Sequence, residues 1–414
     1  MRVVIAPDKF KGSLTAPDVA DHLEAGLLTA LPELDVVKAP MADGGEGTLD
    51  AAVGAGFTLH YTEVAGPTGE PIQAAVAIRG TEAVVEMAAA SGLAVLPGGA
   101  PAPLEATSLG AGQLIRFCLD AGCRRIILGV GGSAGTDGGA GLLTGLGARM
   151  LDADGGELPG GGAALAGLHR IDLAGLNPRI AEVEIILASD VDIPLLGAAG
   201  AAAVFGPQKG ATDDDVAELD AALARFALVL ARNAGPAAVG HLNAPGAGAA
   251  GGVGYAAMAV LGAERRAGID VVFELAGLGS LLADATLAIT GEGSLDEQSL
   301  MGKTPLGVAQ ASAAAQVPVV AVCGRSGLES DQLEAAGFRR TYALTEFEPD
   351  IERCSSEAGP LLEWVGRTVG TALAAGQLAP LYPDRQLSSA VSSAQSHPAS
   401  SDGRLIVNTE GQSA

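Results

Sequence analysis

Long hydrophobic runs are missing from this 414-residue sequence: no apolar stretch reaches the ~18 residues that a membrane-spanning helix needs. Met1-Arg2-Val3 leads straight into a strand-like run with no signal-peptide pattern, so the expectation is a cytoplasmic protein with no membrane partner. Cysteine is scarce. Cys118, Cys123, Cys323 and Cys354 form no CxxC pair and stand near no histidine at metal-ligand spacing, which excludes a disulfide framework and a structural zinc site. Positive charge is scarce as well: 24 Lys and Arg against 48 Asp and Glu give a net charge of −24, which would repel nucleic acid and anionic lipid. None of the five histidines lies in a glycine-rich loop, so histidine-based group transfer is not expected.

Lysine is far rarer than arginine, and its placement is informative. Only Lys9, Lys11, Lys38, Lys209 and Lys303 occur, and four of the five sit in Gly/Asp-rich loops. A compact ammonium on a flexible stem suits a moving phosphoryl group, whereas this chain otherwise uses arginine for its positive charge.

What remains is an apolar, folded composition, 48% hydrophobic and 17% charged, on a chain long enough for two domains. The N-terminus reads as two strand–loop–helix units: Arg2 to Ala6 leads into PDKFKGS and a helix capped by Thr15, and Val36 to Ala42 leads into Asp43-Gly44-Gly45-Glu46-Gly47. From Gly66 the rhythm changes to hairpin strands with turns at Gly66–Gly69 and Gly80. Arg125 to Val130 is a buried strand feeding GGSAGTDGGAG, whose six glycines in eleven residues suit either an anion cradle or tight helix-on-strand packing. Val183 to Ala188 ends in SDVDIPLLG, where Asp190 and Asp192 could hold Mg²⁺ or take a proton. FGPQKGAT carries Lys209, Asp213 to Leu230 is an amphipathic helix, and PGAGAAGGVG is another glycine-rich turn.

Thr286 to Ile289 then reads as a strand that breaks into a loop carrying Gly291, Glu292, Gly293, Asp296 and Lys303 before a helix from Leu306. Two carboxylates, a lysine and free backbone amides meet the needs of a phosphate and its metal ion, although no P-loop or GxGxxG spacing is present and the same residues suit a polar turn. Val317 to Val322 and Thr341 to Leu344 continue the βα rhythm. The economical topology is α/β: one parallel sheet from residues 1–65 and 285–378, a second α/β domain inserted over 66–284, and a mobile tail over 379–414. In parallel sheets the ligand crevice lies beyond the carboxyl ends of the strands, where Asp8, Lys9 and Asp43 emerge.

Seven segments, IAPDKFKGSLTA, MADGGEGTLDA, GVGGSAGTDGGAG, SDVDIPLLG, FGPQKGA, PGAGAAGGVGYA and ITGEGSLDEQSLMGKTPLGVA, resemble in order the type 1 glycerate kinase family. The resemblance runs from Val3 to about Ala375 and departs at Gly135-Thr136, where the family usually has Thr-Asn before the residue equivalent to Asp137. It implies a flavodoxin-like domain plus an inserted one, with ATP-dependent, Mg²⁺-assisted phosphorylation of D-glycerate, 2-phosphoglycerate being the favoured product.

Phosphoryl transfer needs positioning and charge neutralisation. On that basis Lys9, with Lys11, would meet the glycerate carboxylate or the moving phosphoryl group, and Asp190 would be base or metal ligand. Gly131, Gly132, Ser133, Thr136 and Asp137, with Gly291, Glu292 and Gly293, would cradle the nucleotide phosphates, whose charge Lys303 would neutralise. Asp8, Asp43, Glu46 and Lys209 are further substrate or catalytic contacts, and Asp192 and Asp296 further metal ligands. A Mg²⁺-dependent phosphatase or hydrolase, or a non-catalytic two-lobed binding protein, would use similar loops. The sequence fixes no oligomeric state.

Overall fold

The structure, a computed structural model, describes residues 1–234 and 236–378; the expected mobile tail over 379–414 lies outside the described residues. Its strands are β1 (Arg2–Pro7), β2 (Asp35–Lys38), β3 (Thr58–Ala65), β4 (Pro71–Arg79), β5 (Glu82–Glu86), β6 (Arg125–Gly129), β7 (Arg149–Leu151), β8 (Arg170–Asp172), β9 (Glu184–Ala188), β10 (Glu264–Arg266), β11 (Leu287–Leu295), β12 (Val319–Ser326) and β13 (Phe338–Ala343).

Both chain ends build one parallel sheet, in which β1 lies between β2 and β11 with Val3 beside Leu287 and Ile5 beside Ile289. Its order, β2-β1-β11-β12-β13, is the flavodoxin-like arrangement, and the strand order reverses between β1 and β11. Burial on both faces explains the continuous apolar run of β1. Val3 and Ile5 face a core with Val19, Leu23 and Leu27 of helix Ala16–Ala30 and Leu362, Val365 and Val369 of helix Ala358–Ala374. Val4 and Ala6 face the opposite core, with Val308 of helix Thr304–Ala314.

A second sheet runs β10-β9-β6-β5-β4-β3, parallel from β10 to β5 and antiparallel over the β5-β4-β3 meander, while β7 and β8 pair separately. Residues 58–65, expected with the first sheet, are the edge strand of this second one. They close a hairpin on β4 through a turn in which Gly66 N–H donates to Glu70 O and Gly69 takes φ +93°. Helix Gly268–Ala276 packs between the sheets: Val272 joins the first-sheet core, Val271 and Leu275 the second.

The loop expected after Ile289 is strand instead. β11 continues to Leu295 because β12 continues beside it to Ser326, so Gly291 and Gly293 are strand residues. A Cβ on Gly291 would lie 1.8 Å from Val322 O, so close strand packing accounts for this glycine. The following helix starts at Thr304, with Lys303 as its N-cap. Among the described residues no helix is long and apolar enough to cross a membrane.

Candidate active site

The strand-order reversal between β1 and β11 opens a crevice at their carboxyl ends, and Asp8 sits at its base. Its backbone N–H donates to Gly291 O (2.8 Å), Oδ2 accepts from Thr304 Oγ1 (2.8 Å) and Oδ1 accepts from Lys9 N–H (2.7 Å). Burial pushes the Asp8 carboxyl up; Lys9 counters this and Asp43 adds to it. Lys9 Nζ donates to Glu46 O (2.7 Å) and stands 3.9 Å from Asp8 Oδ1, so one ammonium ties the β1 loop to the β2 loop. Lys303 Nζ lies 4.0 Å from Glu292 Oε2. Burial also raises the Glu292 carboxyl, and among the described residues its Oε1 is buried with no hydrogen-bond partner.

These side chains line a cavity of about 570 Å³. Asp8, Lys9, Lys11, Glu46, Glu292 and Lys303 make it polar at the strand ends; Phe10, Leu344, Ile351 and Ala358 contribute apolar wall. Gly131 and Gly132 enter the same wall from the second sheet. A Cβ on Gly131 would stand 2.5 Å from Gly45 Cα, so the β6 loop and the β2 loop meet backbone to backbone.

Beyond those glycines lies a smaller chamber of about 230 Å³, lined by Ser133, Ser189, Asp190 and Lys209. Asp190 Oδ1 accepts from Gly268 N–H (2.9 Å). Its carboxyl is pushed up to about 6, by burial first and then by Asp43 and Asp270, against the Gly268 hydrogen bond and Arg265. A third cavity, about 840 Å³, is bounded by Asp190, Asp192, Arg265 and Lys303. Asp43 lines all three spaces.

The cleft therefore gathers Asp8, Lys9, Lys11, Asp43, Glu46, Gly131, Gly132, Ser133, Asp190, Lys209, Glu292, Gly293 and Lys303, but other expected residues point elsewhere. Asp137 is turned into the protein, where it accepts from Ser108 N–H (2.8 Å), Thr107 Oγ1 (3.2 Å), Gly139 N–H (3.0 Å) and Gly141 N–H (3.1 Å); it anchors its own loop. Thr136 is fully buried. Asp296 lines the 570 Å³ cavity, yet its Oδ1 accepts from Gln298 and Ser299 N–H, the bonds of a turn. Asp192 is held by Arg265. The expected metal set Asp190, Asp192 and Asp296 does not converge, and among the described residues no group of three or more His, Cys, Asp or Glu could hold a metal ion.

Two polar residues near the cleft escaped the sequence reading. Arg325 at the end of β12 donates from Nε to Ser294 Oγ (3.1 Å) and lines the 570 Å³ cavity. Glu86, 7% exposed at the end of β5, accepts from Leu49 N–H (3.2 Å), and burial pushes its carboxyl up to about 7. A glutamate ending the apolar run AVVE was the available signal.

Fold and site define a two-sheet α/β protein with a lysine- and carboxylate-lined cleft at a topological switch point. The model of the glycerate kinase family matches residues 3–374. A glycerate kinase of Bacillus subtilis is 41% identical over 377 residues, 90% of this chain and 98% of that relative; a glycerate 2-kinase of Escherichia coli is 45% identical over 328 residues, 78% of this chain and 85% of that relative. A solved structure described as glycerate kinase 2 of Salmonella typhimurium LT2 superposes with a TM-score of 0.78 at 42% identity, covering 91% of this chain and 99% of that one. The chain belongs to the glycerate kinase family.

Proposed function

We propose that this protein transfers the γ-phosphoryl group of ATP to the 2-hydroxyl of D-glycerate, giving ADP and 2-phosphoglycerate. Family membership over residues 3–374 supports the kinase reaction, and a relative named glycerate 2-kinase supports the regiochemistry. The observation that carries the reading is the convergence of Lys9, Lys11 and Lys303 with Asp8 and Glu292 on one cavity at the switch point.

In the reaction the glycerate oxygen forms a bond to the γ-phosphorus while the bond to the β,γ-bridging oxygen breaks, and ADP leaves with that electron pair. The hydroxyl proton passes to a carboxylate. Asp190 is our candidate base, because a carboxyl raised to about 6 is a better proton acceptor than an ordinary aspartate. Lys9, Lys11 and Lys303 neutralise charge on the phosphoryl and nucleotide phosphates, and the N–H groups of the Gly131–Ser133 loop position them.

Mg²⁺ fits the residues present on one observation: Glu292 Oε1 is a buried oxygen without a partner, in a cavity wall shared with Asp8. Protein sites commonly hold Mg²⁺ through one or two carboxylates plus phosphates and water. Glu292 and Asp8 would hold the ion, and it would supply further neutralisation of phosphate charge.

Release of ADP from ATP and Mg²⁺, with and without D-glycerate, tests the reading. Glycerate-dependent release supports it, and release that ignores glycerate favours a hydrolase. Asp190→Asn is expected to lower kcat on the order of 10²-fold with an acid limb near pH 6 lost from the profile, and Lys303→Met to lose roughly 10²-fold in kcat/KM with weaker ATP binding. Near-wild-type kinetics in either variant removes that residue from the chemistry.

A further inference from the structure

Among the described residues, the cleft contains a buried cation with no counter-ion beside it. Lys209 is 2% exposed, and its Nζ donates to Ser133 Oγ (2.9 Å) and to Gly135 O, neutral acceptors that take two of its three N–H bonds. Among the described residues it forms no ion pair, and Asp137 is the one carboxylate whose charge it feels. A desolvated ammonium is costly unless an anion joins it; burial draws its pKa down to about 8, with Asp137 opposing from a distance.

Lys209 faces the 230 Å³ chamber with Gln208, Ser133 and Ser189, and Leu93 forms part of the apolar wall. At ~30 Å³ per water that space equals seven or eight waters, enough for a three-carbon acid of about seven heavy atoms. It is too small for a nucleotide, whose size class asks for roughly 300 Å³ or more. The neck between this chamber and the larger, lysine-lined cavity is formed by Asp43, Gly45, Gly131 and Gly132, which line both. Lys209, Asp43 and Asp190 all line this chamber.

The geometry points to a division of labour: the small chamber is the acceptor site, Lys209 binds the acceptor's carboxylate, and the lysine-lined 570 Å³ cavity holds the nucleotide. This rests on the kinase reading above and deepens it. Lys209 is then the residue that selects a hydroxy acid over a neutral polyol, because an anion neutralises the buried ammonium whereas a neutral hydroxyl only fills its third hydrogen-bond position. The acceptor's hydroxyl meets the phosphoryl group at the Asp43 neck, leaving Lys9, Lys11 and Lys303 for the phosphates.

The test measures KM for D-glycerate and for ATP separately, and the ratio of kcat/KM for D-glycerate over glycerol, which has the same three-carbon frame without the carboxylate. Lys209→Met keeps the stem and removes the charge. The expected result is a glycerate KM raised on the order of 10–100-fold, the scale of one charge-assisted hydrogen bond, with ATP KM within about twofold and the glycerate-over-glycerol ratio reduced by a similar factor. Leu93→Trp narrows the chamber without removing the ammonium and is expected to raise glycerate KM alone; it decides the matter if Lys209→Met does not fold. An unchanged glycerate KM in either folded variant, or an ATP KM that rises with it, overturns the assignment. If wild-type protein shows no glycerate-dependent ADP release the kinase reading itself fails, whereas an active wild type with unaltered variants sinks only the chamber.

Discussion

Glu86 illustrates how one side chain records the closeness of the two sheets. It ends β5, its carboxylate accepts Leu49 N–H from the helix that follows the β2 loop, and Asp50 and Glu46 add negative potential while Lys9 opposes them. With a folded pKa of about 7 against 4.5 for an ordinary glutamate, the folded chain binds more protons than the unfolded chain between those values. Stability therefore falls as pH rises from about 4.5 to 7 and levels off above, by a ceiling on the order of 3 kcal/mol. Glu86→Gln keeps an acceptor for Leu49 N–H and removes the charge. Thermal melts at pH 5 and pH 8 are expected to show the variant gaining on the wild type as pH rises; a constant difference would contradict the shift.

Residue by residue, the lysines were the most legible part of the site. Lys9, Lys11 and Lys303 line the 570 Å³ cavity and Lys209 the 230 Å³ chamber, whereas Lys38 forms surface pairs with Asp21 and Glu24. Asp137 and Asp296 were not legible, because a polar residue in a glycine-rich loop serves a ligand or its own backbone equally well, and only the turn geometry tells which. Glu86 was hidden by its run of apolar neighbours.

At the scale of elements, close backbone approach explains several glycines better than ligand binding does. Helices Ala16–Ala30 and Ala358–Ala374 pack so tightly that a Cβ on Gly26 would stand 2.0 Å from Glu363 O, and one on Gly366 would stand 2.4 Å from Leu23 O. Gly26→Ala must push the C-terminal helix outward, and we expect a loss of about 1–3 kcal/mol, the usual scale of overpacking. Urea unfolding checks this: a lower midpoint with an unchanged slope is expected, and an unchanged midpoint would show that the helices slide apart without cost. The length of β11 belongs to the same lesson. Its glycines read as a loop in one dimension, and only the extension of β12 alongside makes them strand.

For the whole molecule, the βα rhythm at both chain ends was enough to anticipate the first sheet, since parallel strands need helical crossovers and leave a clear period. The second sheet was harder to read, with its meander beginning at Thr58 and its parallel strands separated by long glycine-rich connections. The carboxyl ends of both sheets contribute to the same cleft, β1, β2 and β11 supplying Asp8, Asp43 and Glu292 and β6 and β9 supplying Gly131 and Asp190. A cleft built from two sheets suits a reaction between two ligands, one seated on each side of the Asp43 neck. The most direct measurement is phosphorus NMR of the protein incubated with ATP, Mg²⁺ and D-glycerate. One equivalent of 2-phosphoglycerate per ADP is the expected result, and inorganic phosphate with no phosphoglycerate, or a 3-phosphorylated product, would contradict it.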